Sequence, residues 1–135
     1  MIELKDNELC HFTILLSPTT KKNHQRLVVN KATGRPMVIQ SEQYKRYEHD
    51  AAWFMPHGKT ISGPVNLRAV FYMPTRRRVD LVNLLQALCD ILVKYSVIED
   101  DNSSIIVSFD GSRVSYDKEN PRTEVWIYES RTENS

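Results

Sequence analysis

The sequence predicts an α+β fold, a small mixed sheet with two main helices, and three observations lead there. Residues 65–72 alternate apolar and polar side chains as a half-buried strand does, residues 80–95 repeat apolar positions at helical spacing, and the other apolar runs are short and bounded by turn residues. At 135 residues, 41% hydrophobic and 26% charged, the chain is long enough to bury a core. Residues 1–135 are expected to form one domain.

The elements are expected in this order. Phe12 to Leu16 reads as a strand ended by Ser17-Pro18. Two short β-like pieces, Leu27-Val28-Val29 and Met37-Val38-Ile39, flank Thr33-Gly34-Arg35-Pro36 and suggest a hairpin. Ser41 can cap a helix from Glu42 to Phe54, stopped by Pro56-His57-Gly58, with Tyr44, Tyr47, Ala51, Phe54 and Met55 on one face. Val65 to Tyr72 is a strand with Val65, Leu67, Ala69 and Phe71 on one side. A second helix spans Asp80 to Tyr95. Strands near Ser104 to Phe109 and Thr123 to Tyr128 follow, separated by a loop holding Asp110-Gly111-Ser112 and Glu119-Asn120-Pro121. The polar stretch 130–135 is expected to fray.

On the second helix Leu81, Leu84, Leu85, Leu88, Ile91, Leu92 and Tyr95 share one broad face, which Val82, Cys89 and Val93 widen. What remains is a narrow polar stripe of Asp80, Asn83, Gln86, Asp90 and Lys94, with Ala87 in its middle. That stripe is the wet side of the helix and the expected wall of a pocket. Burial on several sides would come from the sheet and from a partner subunit.

The longest apolar runs fall far short of the ~20 residues that a membrane-spanning helix needs, and the N-terminus has no basic-then-apolar signal pattern. No membrane association and a cytoplasmic location are therefore expected. Cys10 and Cys89 lie far apart without further ligands at metal spacing, so neither a zinc site nor a disulfide framework is supported. The net charge is only +1, but it is unevenly spread. Between Ser17 and Arg46 seven basic side chains face one acid, whereas from Tyr95 onward nine acids face four bases. Such segregation suits a phosphate-tracking surface beside an acidic pocket, and it equally describes a solvated basic loop.

The chemistry concentrates between Met73 and Asn102. Arg76-Arg77-Arg78 stand beside the spaced carboxylates Asp80, Asp90, Asp100 and Asp101. An enzyme that holds an anionic phosphodiester and the divalent cation that helps to cut it needs that pairing. Asp80 and Asp90 are ten residues apart, roughly 15 Å along a helix, so they cannot share an ion without help. Asp100 and Asp101 follow the helix and could fold back to meet one of them. Each residue also has an ordinary reading: Asp80 as an N-cap, Asp90 with Lys94 as an i,i+4 ion pair, and Glu99 to Asn102 as a solvated turn.

Over Arg76-Arg77-Arg78-Val79-Asp80-Leu81-Val82-Asn83-Leu84, with Asp90-Ile91-Leu92 and Asp100-Asp101 beyond, the chain resembles the RusA family of Holliday junction resolvases. Pro18 and Lys22-Asn23 resemble the family's start, and the likeness runs from Phe12 to Tyr128. The resemblance implies a dimeric RusA-like fold and a Mg²⁺-dependent endonuclease, with Mn²⁺ as an alternative cofactor, that cuts four-way DNA junctions in recombination and repair. It assigns catalysis to Asp80, Asp100 and Asp101, the metal to Asp80 and Asp101, and DNA binding to Lys21, Lys22, Asn23, Arg76, Arg77 and Arg78. Cleavage would be metal-assisted hydrolysis leaving 5′-phosphate and 3′-hydroxyl ends. Two positions depart from the pattern: the family's second acid falls on Val82 and its lysine on Gln86. Asp90 and Asp110 are the available substitutes as metal ligands, Asp110 being favoured by its place on the strand after Ser104. The alternatives are a junction-binding DNA module with weak or no cleavage, and an unrelated α+β domain whose acids are structural.

Overall fold

The computed structural model describes residues 7–21, 26–39 and 42–130. Its elements run β1 (Glu8–Ile14), β2 (Arg26–Val29), β3 (Pro36–Ile39), α1 (Glu42–Ala51) continued by a 3-10 turn (Ala52–Phe54), β4 (Val65–Met73), α2 (Leu81–Lys94), β5 (Ile106–Ser108), β6 (Arg113–Tyr116) and β7 (Arg122–Glu129). The class is α+β with a mixed sheet and two helices, as expected. Ser41, Lys22, Asn23 and residues 131–135, all named in the sequence reading, lie outside the described residues.

β4 is the centre of the sheet. One edge pairs antiparallel with β7 from Val65↔Glu129 to Tyr72↔Arg122, and β7 pairs antiparallel with β1. The other edge takes β5 and then β6 in parallel. Parallel pairing follows from the connection, because α2 lies between β4 and β5 and carries the chain back to the end where β4 began. β2 and β3 form the separate antiparallel hairpin expected around Gly34.

Two strands differ from expectation. β1 starts at Glu8 rather than Phe12 and ends at Ile14, leaving Leu15 exposed. The sheet tolerates Glu8 and His11 because β1 is an edge strand whose outward face is not covered. β6 falls in the segment read as loop, since Arg113-Val114-Ser115-Tyr116 is a short, largely exposed edge strand without a buried alternation.

One buried cluster joins Val65, Leu67, Ala69 and Phe71 of β4, Val125 and Ile127 of β7, Leu84, Leu88, Ile91 and Leu92 of α2, and Tyr44, Tyr47 and Ala51 of α1. Both helices therefore cover the same sheet face, the one carrying the odd-numbered residues of β4. Two α2 positions are exchanged relative to the helical plot. Ala87, placed in the polar stripe, is buried because its small side chain sits close against the core, whereas Val82, counted as apolar surface, is 75% exposed.

The C-terminus of α2 sets where the following acids go. The N–H of Ser96 donates to Val93 O (3.1 Å) and that of Val97 to Leu92 O (2.8 Å), with Ser96 at φ 59°. This pair of bonds is a Schellman closure, in which a serine occupies the left-handed position that glycine usually takes. The chain reverses there, is held by Glu99 N–H to Ile61 O (2.9 Å), and runs back beside the helix. Gly63 permits the next approach: its φ is +77°, and a Cβ there would lie 2.5 Å from Ile105 O.

Candidate metal and nucleic-acid site on helix α2

Asp80 occupies the N-cap position, and its C=O accepts the first helical bond from Leu84 N–H (3.2 Å), but its carboxylate makes no capping bond. Asp80 Oδ2 instead accepts from Asn83 Nδ2 at 3.2 Å. The carboxylate is exposed and not consumed by holding the helix.

One turn beyond Asn83, Gln86 links two acids. Its Nε2 donates to Asp90 Oδ1 at 3.1 Å and lies 3.4 Å from Asp101 Oδ2. Asp101 comes from the chain that returned after the α2 reversal, so the helix and the returning segment each place one carboxylate on a single nitrogen. The other oxygen of Asp90 pairs with Lys21 Nζ at 2.8 Å, both side chains being about 30% exposed. Lys21 reaches it because Pro18, Thr19 and Thr20 are buried and fix the segment after β1 against the body. Its ammonium also lies 5.6 Å above the Tyr44 ring. The expected Asp90–Lys94 pair does not form: Lys94 Nζ bonds Glu48 Oε1 of α1 at 2.6 Å, which raises the lysine's affinity for its proton.

The paired acids after the helix play different parts. Asp100 Oδ1 accepts from Asp101 N–H (2.7 Å) and Oδ2 from Asn102 Nδ2 (3.1 Å). Those bonds, the backbone N–H first, hold the Asp100 carboxyl below the usual carboxylate range and fold the turn that aims Asp101 at α2. The backbone of Asp110, the expected substitute ligand, is tied elsewhere. Its N–H donates to Asn66 Oδ1 (2.8 Å) and its C=O accepts from Asn66 Nδ2 (3.2 Å). Asn66 alternates with the buried Val65 and Leu67, so it faces away from the helices and draws Asp110 with it. Asp90 is the acid that shares Gln86 Nε2 with Asp101.

Among the described residues no three acid, histidine or cysteine side chains come close enough to share an ion. The available donors are two carboxylates and the amide of Gln86, whose oxygen would face the carboxylates after a half-turn of the amide, an orientation assigned from its hydrogen bonds. This oxygen-only set fits Mg²⁺, which is commonly held by one or two carboxylates and keeps several waters. Cys89 lies beside it and is buried: burial first, then the charges of Asp101 and Asp90, push its thiol up to about 12.

At the head of the helix Arg76, Arg77 and Arg78 are exposed, and among the described residues none has a carboxylate at ion-pair distance. Arg76 rests on the ring of Tyr116, 4.3 Å from its centroid, a contact the sequence reading did not foresee because β6 was not recognised. Phosphates need such an unneutralised basic run. No helix among the described residues is long and apolar enough to cross a membrane.

The model of the family described as Endodeoxyribonuclease RusA matches residues 16–128. No individual curated protein matches the chain. The family match covers β4, the arginine run, α2 and the returning acids together, and so the chain belongs to the RusA endodeoxyribonuclease family of Holliday junction resolvases.

Proposed function

We propose that this protein is a Mg²⁺-dependent endonuclease that cuts four-way DNA junctions as a homodimer, in the cytoplasm, with residues 1–135 acting as one domain. The observation that carries the reading is the link through Gln86 between Asp90 and Asp101, on the same helix whose head presents three unneutralised arginines. Bound there, a divalent cation would supply charge neutralisation at the scissile phosphate and lower the pKa of a water nucleophile. Asp101 and Asp90 would hold it, with the Gln86 amide as a neutral donor. Asp80, free of capping duty, would face the substrate at the head of the helix. Asp100 shapes the turn that presents Asp101. Arg76, Arg77, Arg78 and Lys21, with Lys22 and Asn23, would bind backbone phosphates, which position DNA without reading its sequence. A four-way junction offers two equivalent strands, and a two-fold dimer offers two equivalent sites.

Asp101→Asn tests the reading. It should abolish Mg²⁺-dependent junction cleavage while junction binding in EDTA persists, since one anionic donor is lost and repulsion of DNA falls. Full cleavage by this variant would remove Asp101 from the site. A second reading, a junction-binding module with weak or no cleavage, is favoured by the neutral Val82 and Gln86 and by the lack of a three-acid group among the described residues. Binding without cleavage at saturating Mg²⁺ or Mn²⁺ would select it.

A further inference from the structure

A cavity of about 450 Å³ opens beside the arginine run, between the end of β4 and β6. Its walls include Thr75, Arg76, Arg77, Val114, Ser115 and Tyr116. The volume lies in the range of small-molecule sites, about 300–1,000 Å³. Because β4 and β6 run parallel, with Met73↔Tyr116 as their last pair, the cavity lies at the carboxyl ends of two parallel strands. Asp80 follows Arg77 by three residues.

Two features give this cavity a chemical character. The first is a flat surface: the Arg76 guanidinium stacks on the half-exposed Tyr116 ring at 4.3 Å, making a planar arginine and aromatic pair. The second is an uncompensated positive charge. Asp117 follows Tyr116 on the cavity's β6 side, and its N–H is fixed to Met73 O (3.0 Å), but its carboxylate is taken by Arg122 Nη1 at 2.9 Å. Arg122 in turn stacks on Tyr72, 3.9 Å from the ring centroid. Asp117 is thus turned toward Arg122, Asp80 Oδ2 accepts from Asn83 instead, and among the described residues no carboxylate lies at ion-pair distance from Arg76 or Arg77.

Planar stacking surfaces beside unpaired arginines bind an unstacked nucleobase with its phosphate, the aromatic and guanidinium planes taking the base and the remaining arginine the charge. We infer that this cavity captures a nucleobase displaced from the stack at the branch point of the junction, with Tyr116 and Arg76 as the stacking platform and Arg77 on the adjoining phosphate. Continuous duplex offers no such base, so the pocket would favour a branched substrate over a linear one. The inference rests on the endonuclease reading and adds a specificity-determining residue, Tyr116, to it.

The test uses the full chain in EDTA, so that binding is read without cleavage. Four-way junctions carry a single 5-iododeoxyuridine either at the branch point or in the middle of an arm, and irradiation links that base to an aromatic ring stacked on it. A crosslink mapped to Tyr116 from the branch-point position and not from the arm supports capture. In parallel, Tyr116→Leu should reduce the junction-over-duplex preference by about tenfold and Tyr116→Phe should retain it, as expected for loss or retention of one stacked base. A folded Tyr116→Leu protein with unchanged preference, or crosslinks confined to other residues, overturns the inference. If the wild-type protein binds and cuts junctions but gives no Tyr116 crosslink, only base capture fails. If it binds no junction at all, the endonuclease reading fails and takes capture with it.

Discussion

Gln86→Glu is the sharpest perturbation of the acidic cluster. The substitution places a carboxylate oxygen where a donor now lies 3.1 Å from Asp90 Oδ1 and 3.4 Å from Asp101 Oδ2, so two attractive contacts become anion pairs. At such separations each pair repels by roughly 1.3 kcal/mol in bulk water and about four times that at an effective dielectric of 20. Gln86 and Asp101 are exposed and Asp90 is partly so, and for that reason the lower figure governs. Lys21 on the far oxygen of Asp90 offsets part of it, and the side chains can swing apart. The metal-free cost is then about 1–2 kcal/mol, or roughly 3–8 °C in Tm for a chain of this size. The same oxygen is a third anionic donor for a divalent cation, and a cation at a hundred times its Kd adds about 2.7 kcal/mol to stability. Thermal unfolding in EDTA and across a Mg²⁺ titration reads both effects. The variant should start lower than wild type, rise further with Mg²⁺, and reach half-maximal junction cleavage at lower Mg²⁺. A variant whose Tm in EDTA and response to Mg²⁺ match wild type would show that Gln86 does not lie between two potential metal ligands.

Junction binding should fall with salt with a log–log slope of roughly −5 if about six phosphates are neutralised, and Arg76→Ala with Arg77→Ala should flatten that slope by about two units; titrations between low and moderate salt measure it. Ser96→Gly should stabilise the protein by roughly 0.5–1 kcal/mol, because glycine takes the φ of 59° in the α2 closure without the cost that a Cβ incurs; denaturant unfolding measures the gain. The Cys89 thiol, pushed up to about 12 from 9.0, should resist thiol reagents at pH 8 until the protein unfolds. Since its folded pKa lies above the unfolded value, the stability it contributes is complete below pH 9 and declines as pH rises from there toward 12, and Cys89→Ala should lessen that alkaline dependence.

Much of this fold was legible because the strongest signals are periodic. The β4 alternation and the α2 repeat each specify a buried face, and both faces meet in one core. The edges were less legible for a physical reason. β6 is short and largely exposed, so its placement depends on pairing with β4 rather than on its own hydrophobic pattern, and β1 carries polar residues on an uncovered face. The site followed the same division. That Asp80, Asp90 and Asp101 lie on or beside α2 could be read from the chain. Which acid meets Asp101 could not, because that depends on the Schellman reversal at Ser96 and on Asn66 drawing Asp110 to the other side of the sheet. The ion pair of Lys21 with Asp90 was likewise not legible, because it depends on how the segment after β1 packs against the body.

Positions 82, 86 and 90 stand four residues apart on one ridge of α2, each step advancing about 6 Å along the axis. By the resemblance drawn from the sequence, the family's acid falls on the first of these and its lysine on the second. Here the first is an exposed valine, the second an amide, and the acid stands on the third, where Lys21 meets it from outside the helix. Under the proposed reading the acid has moved by two steps of the ridge, and the positive charge has moved from the helix to the segment after β1. The reach of Asp101 fits this displacement, since it meets the ridge at Gln86, from which Asp90 is also within hydrogen-bond distance. An acid at 82 would stand one step on the opposite side of Gln86, nearer to Asp80 and the arginines. The two arrangements would therefore place a cation differently along the same helix, and the distance from the arginine run to the cleaved phosphate should differ with them. Mapping the cut relative to the branch point, in the wild-type protein and in Val82→Asp, reads that distance directly. An unchanged cut site in an active Val82→Asp protein whose cleavage no longer depends on Asp90 would place the cation at the head of the helix instead.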